Sequence, residues 1–168
     1  MRSVVLDWPL DSISLEARDY PADMLEDCET GLLLFAAAFL GVNDAIHFAR
    51  KQTVCTCVDT NPERLGRMEA LYPPDWSFVE QDAWEFAEAA RASGTGWDAV
   101  SVDTFTGMAT HRSLGTLDLW CSLARKCLTV TIVEGLPYEV PAGWRQSVFP
   151  RDGRFGAAWL VLRKNDDA

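Results

Sequence analysis

Three aspartates stand where strands give way to helices in this sequence. In Thr53-Val-Cys-Thr-Cys-Val-Asp59-Thr-Asn-Pro-Glu63, an apolar stretch reads as a buried strand that ends on a carboxylate and turns into a helix. Open α/β sheets bind ligands beyond the carboxyl ends of their strands, where an acidic group suits the two hydroxyls of a ribose. The competing role for Asp59 is to cap the helix that follows. Asp82 stands in the same relation to the next segment and reads as a helix cap. Asp103 ends a fourth strand at the same edge as Asp59. It would orient a nucleophile or take its proton, or it is a satisfied turn carboxylate. His111 opens the next helix, as a general base near neutral pH or as a solvent-facing residue. His47 falls inside a helix and is expected to pack. Cys55 and Cys57 share one face of a strand. No second pair of ligands matches them, so they read as buried thiols and no metal site is expected.

The elements that must position these groups alternate between strands and helices. Pro21 to Glu29 reads as a short helix with Gly31 just past its end. The run Leu32 to Phe39 is apolar without a break, and its place before a turn favours a central strand over a buried helix. A helix is expected over Asn43 to Lys51, where Gly41 would let a ligand approach the backbone or simply form a turn capped by Asn43. Strands are expected at Val54–Val58, Trp76–Glu80, Asp98–Asp103 and Leu128–Val133. Helices are expected at Asn61–Leu71 with Thr60 as cap, at Asp82–Arg91, and as one long helix from His111 to Lys126. Trp144 to Phe149 and Phe155 to Arg163 flank Pro150-Arg-Asp-Gly153, a hairpin turn. This pattern predicts an α/β fold: a Rossmann-like, doubly wound, mostly parallel sheet with a C-terminal antiparallel hairpin. Residues 1–168 read as one domain, with 1–30 an N-terminal arm or lid and 31–163 the core.

Composition narrows the partners. The chain has 168 residues, 48% of them hydrophobic, which fits a single globular domain. Its net charge of -10 disfavours general binding to nucleic acid or anionic membranes, and no cluster of Lys and Arg stands out along the chain. The longest apolar run is too short to span a bilayer. Five cysteines and no visible secretory signal point to free thiols and a cytoplasmic setting. A small-molecule partner is expected, and a homodimer is left open.

The order of elements over about residues 32–163 resembles the class I S-adenosylmethionine-dependent methyltransferases. Phe39-Leu-Gly41-Val-Asn-Asp44 stands where that family has its glycine-rich first loop. Cys57-Val-Asp59-Thr-Asn-Pro-Glu63 looks like its second-strand acidic motif, and Glu80-Gln-Asp82-Ala-Trp84 like its third-strand motif. Val102-Asp103-Thr-Phe-Thr-Gly107 looks like the fourth-strand motif that borders the reaction centre. The resemblance implies that S-adenosylmethionine or S-adenosylhomocysteine is held by Phe39, Leu40, Gly41, Asn43, Asp59, Thr60, Asp82, Ala83, Asp103 and Thr104. Asp59 would take the ribose, Asp82 and Ala83 the adenine, and Asp103 with His111 the catalytic side. The implied activity is methyl transfer to a small-molecule acceptor.

Asp103-Thr-Phe-Thr-Gly107 followed by Leu114-Gly-Thr116 is also similar to the spermidine-synthase-like branch, which would imply aminopropyl transfer. A third reading is a non-catalytic interaction module, because the family's Gly-x-Gly-x-Gly is reduced to Gly41. A nicotinamide cofactor would also want an acid at Asp59, but its full glycine fingerprint is absent.

Overall fold

Thr30-Gly-Leu-Leu-Leu34 forms β1 (Thr30–Leu34), which pairs in parallel with β2 (Val54–Asp59) on one side and β4 (Trp97–Val102) on the other. A strand enclosed in this way is buried on both faces, which is why its sequence is apolar without alternation. The computed structural model describes residues 20–36, 44–104, 106–150 and 156–166. β3 (Ser77–Glu80), β5 (Ala124–Val133), β6 (Trp144–Pro150) and β7 (Ala157–Lys164) complete a sheet of order β3-β2-β1-β4-β5-β7-β6. The first five in that order are parallel, and β7 is antiparallel to both β5 and β6. The expected Rossmann-like, doubly wound sheet with a C-terminal antiparallel hairpin is therefore the fold observed. The proposed hairpin turn lies mostly at residues 151–155, outside the described residues.

Two cores flank the sheet. On one face Leu33, Cys57, Ala99 and Trp159 meet α1 (Ala45–Arg50) and α2 (Pro62–Leu71) through Phe48 and Met68. On the other, Leu32, Val58, Val100 and Leu160 meet α3 (Ala83–Ala92), α4 (Gly107–Leu114) and α5 (Leu117–Leu123) through Ala87, Leu114 and Trp120. Among the described residues no helix is long and apolar enough to cross a membrane.

Several expected boundaries move, each for a local reason. The helix expected from Pro21 is a single 3-10 turn, Ala22–Leu25, and Gly31 lies within β1. Gly31 is needed there because a Cβ would sit 2.7 Å from the Phe48 ring and 2.9 Å from Cys55 Sγ. Gly31→Ala is accordingly expected to cost about 1–3 kcal/mol through overpacking; a urea midpoint equal to the parent's would contradict this.

The strand expected to reach Phe39 stops at Leu34, because Phe35 turns to a left-handed φ of 61°. Asn61, rather than Thr60, caps α2, and its side chain accepts the Arg64 N–H. The single helix expected over His111–Lys126 is two. Thr116 closes α4 by donating its hydroxyl to the carbonyls of Arg112 and Ser113, and Arg125 and Lys126 already belong to β5.

Tyr20, Met24, Leu25 and Cys28 of the expected arm pack into the core. Tyr20 stacks on His47 at 5.5 Å between ring centroids and meets Trp159 edge-on at 5.1 Å. Residues 1–19, where a lid was expected, lie outside the described residues.

Candidate active site

Parallel strands deliver their C-terminal ends to one rim, so the residues that follow β1, β2, β3 and β4 gather there. Asp59 ends β2, half-buried, and its Oδ1 accepts the Asn61 N–H at 2.9 Å. It stands in register with Glu80, the last residue of β3. Thr60 beside it is exposed. Asp82 caps α3: its Oδ1 accepts the N–H groups of Trp84 at 2.9 Å and Glu85 at 3.0 Å. Ala83 opens that helix, in the first turn where backbone N–H groups lack intrahelical acceptors.

Asp103 follows β4 and is only 3% exposed. The Thr131 hydroxyl donates to its Oδ1 at 2.9 Å. Thr104 is also buried, with its hydroxyl 2.7 Å from that of Thr110. Both residues are fixed by the fold as much as they are offered to a ligand. His111 is exposed on α4. Phe39, Leu40, Gly41 and Asn43 lie outside the described residues.

An aromatic shelf lies on this rim: its Trp84 reads from the sequence as core or pocket wall, but Phe35 and Arg112 were not singled out. Phe35 meets the Trp84 ring edge-on at 5.3 Å. The Arg112 guanidinium lies 3.9 Å over the same indole, and the indole Nε1 donates to Thr116 Oγ1 at 3.3 Å. Beneath it Trp120 is tilted at 5.8 Å. The link to α1 thus begins at Phe35, four residues before the motif expected at Phe39, and it opens with Phe-Ala-Ala-Ala. A bulky residue in the left-handed region is uncommon, and Phe35 shares the conformation with Asp27 and Gln52, which lie in turns elsewhere. The signal that could have exposed it was the end of β1, which the unbroken apolar run concealed.

The far end of that link is anchored beneath the sheet. Asp44, immediately before α1, accepts the Ser101 hydroxyl. Thr129 donates to Ser101 Oγ at 3.0 Å, and the Tyr20 hydroxyl lies 2.8 Å from Thr129. Burial first, and the Asp44 charge second, push the Tyr20 phenol well above its ordinary pKa, so it stays neutral in the chain of bonds. Ser101→Ala should destabilise the protein by about 1–3 kcal/mol, the cost of leaving buried polar partners unmatched; thermal melting at neutral pH measures it, and an unchanged midpoint would contradict the role given to this chain. Burial also raises the thiols of Cys55 and Cys57, in keeping with inert core cysteines. Among the described residues no group of three His, Cys, Asp or Glu side chains is placed to hold a metal.

No protein-family model matches the sequence, and no curated protein matches it. Solved structures do match in fold. A proposed O-methyltransferase from Klebsiella pneumoniae superposes with a TM-score of 0.67 at 12% identity, covering 96% of this chain and 90% of that one. The proposed methyltransferase yhhF from Escherichia coli gives 0.66 at 18% identity, over 92% and 89%. Human methyltransferase-like protein 13, solved in complex with S-adenosylhomocysteine, gives 0.63 at 14% identity, over 91% and 79%. The chain thus shares its fold with these methyltransferase structures.

Proposed function

We propose that the C-terminal rim binds S-adenosylmethionine and that the protein passes its methyl group to a small-molecule acceptor. The observation that carries this reading is the convergence of Asp59, Asp82 and the Phe35–Trp84 shelf on one rim, from three separate stretches of chain. A half-buried carboxylate suits vicinal ribose hydroxyls, and the partly exposed Phe35 ring, backed by Trp84, suits a purine. Asp59 and Thr60 would hold the ribose and Asp82 with Ala83 the adenine. Residues 39–43 would hold the amino-acid end.

The sulfonium supplies an activated methyl group, and displacement there is in line. What remains for the chain is to orient the acceptor and exclude water. Asp103, held by Thr131, and Thr104, held by Thr110, would border that position. His111 is the nearest candidate in sequence for taking a proton. The net charge of -10 argues against a nucleic-acid acceptor and favours a small one. The aminopropyl-transfer reading draws no separate support from the comparisons.

The test is equilibrium dialysis with S-adenosylmethionine and its decarboxylated form, followed by assay of S-adenosylhomocysteine release with pools of small amines, phenols, carboxylates and thiols. Preference for the carboxylated form and acceptor-dependent release are expected. Preference for the decarboxylated form would replace methyl transfer with aminopropyl transfer, and retention of neither compound would overturn the reading.

A further inference from the structure

We propose that the opposite rim of the sheet carries a second site, for a small ligand bearing two or more phosphoryl groups. Here β5 begins and β7 ends, and a cleft of about 620 Å³ is walled by Arg125, Lys126, Arg145, Arg163 and Lys164. The strand register builds it. Cys127 pairs with Arg163 across β5 and β7, and Arg163 pairs with Arg145 across β7 and β6. Directly opposed residues in adjacent antiparallel strands share a face, with Cβ atoms about 4.5–5.5 Å apart. Two guanidinium stems therefore rise side by side next to the buried Cys127, and Arg125 and Lys126, which also line the cleft, precede it where the β4–β5 register shifts.

Like charges placed directly opposite each other are unfavourable, and this protein has ample means of avoiding it. It carries 25 acidic residues against 15 Lys and Arg. Glu26, Asp27 and Asp166 even line the same cleft. Yet the ion pairs among the described residues are Glu63–Arg67, Glu88–Arg91 and Asp118–Arg91, none of which uses these five cations. Lys126 donates instead to the carbonyl of Asp27. A pair of forks without carboxylate partners matches the bidentate geometry of phosphoryl oxygens. The ligand is small because the positive region is local. An extended nucleic acid leaving the cleft would meet the field of a chain with net charge -10.

The experiment is calorimetric titration of the full chain with inorganic tripolyphosphate, at low salt and again with added salt. Saturable binding at one site is expected, weakened by salt and weakened about tenfold or more in R145Q/R163Q. Arg163→Lys keeps the charge but loses the fork, and should fall between the two. Without ligand, R145Q/R163Q should melt no lower than the parent, because it removes a repulsion. Absence of saturable binding to the parent, or equal affinity in R145Q/R163Q, overturns the proposal. So does affinity for single-stranded oligonucleotides that exceeds that for tripolyphosphate and grows with their length, which would make the cleft part of a nucleic-acid track.

Discussion

Asp59→Ala is expected to weaken S-adenosylhomocysteine binding by about ten- to a hundredfold, the equivalent of one or two charge-assisted hydrogen bonds. The same change also removes the acceptor of the Asn61 N–H, so part of its effect would reach the start of α2. Asp59→Asn separates the two contributions. It keeps an oxygen for Asn61 and loses the charge, so it should restore the melting temperature while recovering little of the affinity. Calorimetric titration of the three proteins measures this. Affinity in Asp59→Ala equal to that of the parent would remove the ribose from Asp59.

Trp120→Ala should cost about 3–5 kcal/mol in urea denaturation. Trp120 is fully buried, and its Nε1 donates to the Ser113 carbonyl at 3.0 Å and to the Ser113 hydroxyl at 3.1 Å. Against a typical stability of about 5–15 kcal/mol, such a loss removes a large share of the folding free energy. Trp120→Phe keeps most of the ring and abandons Ser113, so it should cost less, about 1–3 kcal/mol. Because Trp84 rests on Trp120, ligand affinity should fall in Trp120→Phe while the protein stays folded. If stability falls and affinity does not, the Phe35–Trp84 shelf is no part of the site.

The sequence made the alternation of strands and helices legible because each element obeys its own period. The carboxylates at Asp59 and Asp82 were legible because each stands at a junction between strand and helix, Asp59 as the last residue of β2 and Asp82 as the cap of α3. Gly31 misled because a glycine after a helix-like stretch resembles a C-cap, whereas its cause is the Phe48 ring across the strand. Phe35 was hidden within an apolar run that periodicity cannot divide. Arg112 gave no sign, since its partner Trp84 lies on another helix and only packing joins them. The basic cleft was invisible for a related reason. Arg145 and Arg163 are separated in sequence and become neighbours only through the β6–β7 register.

The role of the C-terminal rim depends on where an adenosyl compound sits, and amide chemical shifts read that directly. Titrating isotopically labelled protein with S-adenosylhomocysteine should move the signals of Phe35, Asp59, Thr60, Ala83 and Trp84, and leave Arg145, Arg163 and Lys164 in place. Spectra that do not change at saturating ligand, or changes confined to residues away from the C-terminal ends of β1, β2 and β3, would contradict it.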